Sequence, residues 1–414
     1  MNKRRLNIAV FHNLPSGGAK RSLYTYVEYL TKQGHIVDVF IPDTANEEYL
    51  PLDSVANNVI KYEVKPSFFR EKIYSIFSYV PAIIKRVSVN NVMKTEQKIA
   101  EDLNDSGYDI VYCEQDQFTM TPVIFKYLTK PSIYYCQQPI RNEKILDKVN
   151  SQKTRAGIFN NPLIRPFADI FVNHVETRDY ERDMEFAEYS TNLLANSYFS
   201  HENILRQYGK NAYVSYIGVD NKKFVPLNLK RDNYVLSVGT CIPPKGYDFI
   251  IRSISKIPKD IRPELVIVGN SSDELWVEYL KNLAQENGVD MDILTMISDD
   301  ELINLYNKAK MVVYAPYLEP FGYIPLEAMA CGTPVVGIKE GGVRETVLHN
   351  KTGLLTQRDE KDFADAVIRL LKDDELWNRM SATGIKYIES AWTLEKAGER
   401  LLEHIYRILE EDGE

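Results

Sequence analysis

The sequence predicts an α/β protein made of two doubly wound, Rossmann-like domains. Three observations predict it. Short apolar runs that end in turn residues recur along the chain, the mark of buried parallel strands. Stretches with apolar residues at helical spacing lie between those runs. The 414 residues suffice for two or three domains with substantial cores.

The first run, Leu6 to Phe11, is followed by the loop His12–Ala19 and a helix from Lys20 to Gln33. Gly34 suits the end of that helix, and Ile36 to Ile41 forms the next strand. Further strands are predicted at Asp109–Glu114, Ile133–Gln137 and Leu193–Asn196, with a helix at Ser200–Tyr208. A second series opens with Tyr234–Val238 and the helical stretch Tyr247–Ser255. It continues through strands at Leu265–Val268, Ile293–Met296, Met311–Ala315, Val335–Ile338 and Gly353–Leu355. Ser298 or Asp299 ahead of Glu301 gives a helix start. Residues from Leu394 to about Glu410 are amphipathic. The expected domains are 1–220, 221–392 and a final helix, 393–414.

Composition narrows the function. Hydrophobic residues at 44% and charged ones at 26% are ordinary for a globular protein. The net charge of −8 argues against nonspecific nucleic-acid binding. Four widely spaced cysteines fit reduced thiols in the cytoplasm, and the six histidines show no metal-ligand spacing. No apolar run approaches the roughly 18 residues needed to span a bilayer. The start, with its short and broken apolar stretch, suits a core strand better than a signal peptide. One segment departs from the rest: 61–98 holds eight basic residues against three acidic ones, interleaved with Phe68, Phe69, Tyr74, Phe77 and Tyr79. Such a helical pair suits an anionic membrane surface. It equally suits aromatics packed into the first domain beneath solvated lysines.

The most informative stretch is Glu319–Gly332, EPFGYIPLEAMACG. Pro320 and Gly322 punctuate the chain after an apolar strand, so a helix starts near Gly322. Its first turn offers backbone N–H groups to an anion. Glu319 falls in the loop at the strand's carboxyl end, where ligands of open α/β sheets bind, and Glu327 on the helix. Carboxylates flanking an anion site suit a ligand with a diphosphate centre and hydroxyl-bearing ends. An ordinary amphipathic helix with solvated glutamates would also carry these residues.

The string resembles the donor-site signature of the family-4 retaining glycosyltransferases. There, Glu precedes Pro-Phe-Gly, and a second Glu is followed by small residues and Gly-Thr-Pro-Val. Glu319, Pro320, Phe321, Gly322, Glu327, Ala328, Gly332, Thr333, Pro334 and Val335 match, and Gly341, Gly342 and Glu345 continue the match. The resemblance implies the GT-B fold: two Rossmann-like domains facing a cleft, with a C-terminal helix crossing back to the N-terminal domain. It implies a retaining, metal-independent enzyme with no cofactor, moving a hexose-type sugar from a UDP- or GDP-sugar to a glycan or lipid-linked acceptor. Such enzymes act in the cytoplasm, here with possible peripheral association with the inner membrane face through 61–98.

Residue by residue, the resemblance implies a donor site of Gly17, Gly18, Gly239, Thr240, Lys245, Glu319, Pro320, Phe321, Gly322, Tyr323 and Glu327. Lys245 and Glu319 would act in catalysis, with Gln137. Some relatives carry Cys-His-X-Pro-X-Arg where this chain has Cys136, Gln137, Pro139 and Arg141. Gln137, Gln138 and Arg141 thus mark the acceptor side, although an amide cannot act as a general base. A second departure is Thr240, where relatives carry an Arg that meets the leaving diphosphate; Arg344, Lys20 and Arg21 are candidate substitutes. Thr240 keeps open a catalytically weak or silent nucleotide-sugar-binding protein. A nucleotide-sugar epimerase of the same fold is a more distant alternative.

Overall fold

The structure, a computed structural model, describes residues 4–65, 81–139, 165–269 and 274–411, with side chains described for these except 81–88 and 165–176. The described residues up to Tyr216, together with those from Ala397 onward, form one compact unit. Ile217–Lys396 form the second.

The first unit is built on β1 (Asn7–Asn13), β2 (Ile36–Pro42), β3 (Asn58–Tyr62), β4 (Ile110–Asp116), β5 (Ser132–Tyr135), β6 (Asn192–Ala195) and β7 (Tyr213–Val214). They lie in the order β3-β2-β1-β4-β5-β6-β7, every pairing parallel. The helices are α1 (Gly18–Lys32), α2 (Pro81–Asn104), α3 (Arg165–Tyr189) and α4 (Tyr198–Tyr208). Both faces of a parallel sheet are covered, so its central strands are apolar along most of their length. Phe11, Val111, Tyr134 and Leu193 meet in one buried cluster. The Ser197 hydroxyl accepts from the Ser200 amide and starts α4.

The second unit holds β8 (Tyr234–Val238), β9 (Glu264–Gly269), β10 (Met291–Thr295), β11 (Met311–Tyr314), β12 (Val335–Ile338) and β13 (Gly353–Thr356), in the order β10-β9-β8-β11-β12-β13. Its helices are α5 (Tyr247–Ser255), α6 (Glu274–Glu286), α7 (Asp299–Lys308), α8 (Tyr323–Ala330), α9 (Val343–Thr346), α10 (Glu360–Lys372) and α11 (Asp374–Ala391). Ser298 and Glu301 form the expected reciprocal cap on α7.

The order of strands reverses between β1 and β4 in the first sheet and between β8 and β11 in the second. At such a point the loops leaving adjacent strands go to opposite faces, which opens a crevice at the carboxyl ends. The fold thus marks two places where polar side chains can gather.

One element corrects the expectation for 61–98. Lys61 and Tyr62 do not open a helical pair; they close edge strand β3, where they pair with Ile41 and Pro42. Val59 and Ile60 are only half-buried, and the strand is short, so its apolar signal is faint. The aromatics Phe68, Phe69, Tyr74, Phe77 and Tyr79, and also Arg141, lie outside the described residues. Among the described residues no helix is long and apolar enough to cross a membrane, and all four cysteines are buried free thiols.

The last helix, α12 (Leu394–Glu411), joins the first unit from Ala397 onward. Gly398 lies directly on Tyr29: an added Cβ would stand 2.2 Å from the ring. The Tyr406 hydroxyl donates to the Arg4 carbonyl at 2.7 Å, and the Arg400 guanidinium to the Tyr216 carbonyl at 2.9 Å. Gly398→Ala therefore forces Tyr29 off its position. An overpacking loss of about 1–3 kcal/mol is expected in urea denaturation, and an unchanged midpoint would remove this docking contact from the fold.

Candidate active site

In the second unit, the loop leaving β8 holds Gly239, Thr240 and, in a short 3-10 turn, Lys245. Gly246 ends that turn with φ +69°, and an added Cβ would lie 2.2 Å from the Ala315 carbonyl oxygen. Only glycine allows this approach, which presses the loop onto the end of β11. Tyr247, the first residue of α5, is buried, and its hydroxyl donates to the Gly239 carbonyl at 2.7 Å. Lys245 and Glu319, 74 residues apart, then meet: Nζ lies 2.9 Å from Oε2.

Glu319 sits in the loop between β11 and α8, a loop held from the other side by the Gly341–Gly342 turn. A Cβ on Gly341 would lie 2.3 Å from the Glu319 carbonyl oxygen, to which the Gly342 amide donates at 2.8 Å. The Lys245 and Glu319 side chains keep 24% and 21% of their surface in solvent. A pair so exposed contributes at most about 1 kcal/mol to stability, so either group is readily turned toward a ligand. Buried phenols lie close by. Burial, and then the Glu319 charge, pushes the Tyr314 phenol well above its ordinary range. Tyr314 therefore stays protonated, a donor rather than an acid–base group.

Gly322 caps α8 in the left-handed region, φ +99°, and no side chain caps the first turn. Glu327 lies beyond that turn, 1% exposed, and its Oε2 accepts from the Tyr306 hydroxyl at 2.8 Å. Phe321 is buried with its ring 5.7 Å from that of Trp392, and the Tyr323 hydroxyl donates to the Gly218 carbonyl at 2.8 Å. Those two side chains hold the loop; what Pro320, Phe321 and Gly322 present to a ligand is backbone.

Sequence reasoning missed Arg358, just past β13. Its guanidinium stacks on Tyr317, 3.8 Å from the ring centroid, and donates to Glu340 and to the Ala315 and Pro316 carbonyls. A lone Arg in Gln357–Asp359 carries no motif; its only signal is its place after a strand.

The corresponding end of the first unit is built differently. Gly17 (φ +141°) precedes α1 without a side-chain cap, and nothing lies within 4 Å of a Cβ placed on Gly17 or Gly18. Lys20, just beyond, is fully buried and bonded to Glu47, with His12 Nε2 3.3 Å away. Its charge is thus already met. Arg21 donates to the Tyr49 hydroxyl at 3.2 Å, and Arg344 of the second unit is exposed on α9. Burial opposes the Glu47 carboxylate, but His12, Lys20 and the Leu52 amide outweigh it and hold its pKa at about 2. Burial lowers His12 to about 4. The Leu14 amide donates to His12 Nδ1, so the neutral ring carries its proton on Nε2, toward Glu47.

Gln137 follows β5. Its Nε2 donates to Oε2 of Glu114 at 3.2 Å, and its carbonyl accepts from the Ser200 hydroxyl. The Gln138 carbonyl accepts from the Gln115 side chain. Glu114, at the carboxyl end of β4, is fully buried and also accepts from the Tyr112 hydroxyl at 2.7 Å. Burial raises its pKa to about 8 despite the Tyr112, Gln137 and Gln115 donors. Sequence reasoning missed Glu114 as a site residue, although a carboxylate closing the apolar run Ile110–Cys113 is a signal for one.

Two Rossmann-like sheets, each reversing at its centre, and a final helix belonging to the first unit define the class: the GT-B glycosyltransferase fold. The solved structure of HepE from Anabaena, in complex with UDP and glucose, shares it at TM-score 0.69, with 17% identity over 97% of this chain and 100% of that one. Residues 219–387 match the family described as glycosyl transferases group 1. Alpha-1,3/1,6-mannosyltransferase ALG2 of Dictyostelium discoideum is 24% identical over 96% of this chain and 97% of its own. D-inositol 3-phosphate glycosyltransferase of Corynebacterium efficiens is 34% identical over 39% of each chain. The likeness to group 1 glycosyltransferases thus rests on residues 219–387 in the family match and on most of the chain in the match to ALG2.

Glu114 gives a pH test. Its unfolded form titrates near the ordinary value of 4.5 and its folded form at about 8. The unfolded chain therefore loses this proton first, so the stability it contributes is full below the unfolded value and drains away as pH rises toward 8. Glu114→Gln cannot titrate. In urea denaturation at pH 5 and pH 8, the wild type is expected to lose more stability between the two than the variant does; equal losses would show that Glu114 is already ionised at pH 5.

Proposed function

We propose that this glycosyltransferase transfers a hexose-type sugar, with retention, from a UDP- or GDP-sugar to a glycan or lipid-linked acceptor, and that it needs no metal. The observation that carries the proposal is the Lys245–Glu319 pair at the crevice between β8 and β11, with Glu327 in the same unit. Each partner offers what the other lacks: an ammonium for a phosphate, a carboxylate for sugar hydroxyls. The fold shared with HepE, whose structure holds UDP and glucose, supports a nucleotide-sugar donor.

In this reading Glu327 holds the ribose diol and Glu319 the hydroxyls of the transferred sugar. As the bond from sugar to diphosphate breaks, negative charge grows on the leaving oxygen. Lys245, the first turn of α8 and the Thr240 hydroxyl meet it. Fixed donors aimed at this growing charge lower the barrier to such a transfer more than any other single effect. Gln137, steadied by Glu114, and Gln138 receive the acceptor hydroxyls, together with Arg141. The acceptor enters on the face the diphosphate leaves, so the anomeric configuration is kept. We place the reaction in the cytoplasm, at the inner membrane face.

Thr240 favours a second reading, a protein that binds the nucleotide-sugar but transfers slowly or not at all. The two separate in one experiment. UDP-, GDP- and ADP-hexoses are screened by thermal shift and nucleotide release, since a ligand of the folded state raises its stability by mass action. One base is expected to stabilise the protein and to be released with acceptor present. Lys245→Ala is expected to lower transfer by roughly 10²–10³-fold while the melting temperature holds. Binding without release for any donor would favour the second reading, and wild-type rates in Lys245→Ala would remove this site.

A further inference from the structure

A second place in the first unit has the character of a binding site. Between the end of β3 and the middle of α2 lies a pocket of about 710 Å³. Lys61 and Lys65 line it from the strand side, Lys94 and Lys98 from the helix, and Glu63 adds a carboxylate to its wall. The walls are tied by side chains. Asn91 donates to the Lys65 carbonyl at 2.7 Å, and the Thr95 hydroxyl to the Glu63 carbonyl at 3.4 Å. The Lys98 ammonium stands over the Tyr62 ring, whose hydroxyl is held by Asp102.

All four lysines are exposed, and among the described residues none is paired with a carboxylate. Elsewhere the chain does pair such groups, as at Lys126–Glu185 and Lys32–Glu28. Lys94 and Lys98 stand one turn apart on α2, a like-charge spacing that destabilises a helix by itself. Concentrating unpaired positive charge in a chain of net −8 creates a local field that draws anions.

We propose that this pocket is an anion subsite that holds a phosphate-bearing part of the acceptor. The proposal rests on the glycosyltransferase reading for the word acceptor, and on the pocket alone for the anion. Compact ammonium groups on flexible stems suit a phosphate approached from several sides. That phosphate is carried either by a lipid headgroup or by a soluble phosphorylated molecule. Lys61 closes β3 at the carboxyl edge of the sheet, the edge that also carries the Gly17–Gly18 loop, so the subsite lies on the functional side of this unit.

The test compares the full chain with two variants of equal charge change: Lys94→Glu/Lys98→Glu in the pocket and Lys259→Glu/Lys281→Glu in the second unit. One arm titrates inorganic phosphate by thermal shift. The other pellets the protein with phosphatidylglycerol–phosphatidylcholine vesicles, with phosphatidylcholine vesicles as the blank. Wild type and the control variant are expected to bind in at least one arm, and the pocket variant about tenfold more weakly or worse, with the difference shrinking as salt shortens the Debye length below about 8 Å. Loss in the vesicle arm alone assigns a lipid headgroup; loss in the phosphate arm assigns a soluble anion. Equal binding by the two variants in both arms overturns the proposal. Should Lys94→Glu/Lys98→Glu melt early, Lys61→Gln/Lys65→Gln is read in its place. UDP and GDP binding, measured in parallel, separates the readings: the absence of both from all forms refutes the donor site and leaves the subsite standing.

Discussion

The second unit depends on a topological constraint, the reversal of strand order between β8 and β11. Parallel strands must be joined by crossovers, and crossovers that diverge to opposite faces leave their first loops side by side without a helix between them. Lys245 and Glu319 lie on those two loops. Their meeting at 2.9 Å is fixed by backbone rather than by the pair itself. Gly246 lets the β8 loop rest on the Ala315 carbonyl, and Gly341 lets the turn after β12 rest on Glu319. The catalytic candidates are thus held by contacts that admit no side chain, and their own attraction is left weak enough to be exchanged for a ligand's.

The first unit reverses at β1 and β4 and has solved the same problem with the opposite electrostatics. His12, Lys20 and Glu47 there form a buried cluster in which each polar group already has its partner. Buried ions that lose a partner are costly, so this cluster is rigid and its lysine is committed. What it leaves open is the Gly17–Gly18 backbone, around which there is space. One unit offers exchangeable side chains at its crevice; the other offers unencumbered backbone on a fixed base, with the buried acid Glu114 steadying Gln137 nearby.

The strands on either side of both reversals were legible because their burial leaves little choice of residue. Tyr234–Val238 and Val335–Ile338 match to the residue, and the neighbouring ones differ only at their ends. Legibility failed at the sheet margins. β3 is half exposed, and the two-residue β7 has no period to read. Within the candidate site, Glu319 and Glu327 were legible as candidates because they sit in a dense motif, and Lys245 because it precedes a glycine in the loop after a strand. Glu114 and Arg358 were not, because their roles come from burial and from partners distant in sequence: Gln137 for the one, Glu340 and Tyr317 for the other. Lys20 shows the reverse error, since a lysine after a glycine loop suggests a phosphate ligand until Glu47, 27 residues on, is seen to hold it.

Thr240 gives the charge balance of the second unit its significance. Arg358 is the nearest substitute in kind, a guanidinium at the carboxyl end of the sheet. Yet its face and edges are occupied: Tyr317 beneath, the Glu340 carboxylate at 2.7 and 2.9 Å, and two main-chain carbonyls of the β11 loop. Those bonds tie the loops after β11, β12 and β13 into one frame, and giving them up to a ligand would release the frame that positions Glu319. Lys245 is placed otherwise, with a single half-exposed partner. Under the proposed function, a bound diphosphate, carrying more charge than one carboxylate, would take that ammonium without disturbing the backbone around it. In that proposed reading, Thr240 in place of the relatives' Arg would concentrate the positive charge available to a leaving group on Lys245, and would shift the rest of the task to the first turn of α8, which no side chain caps.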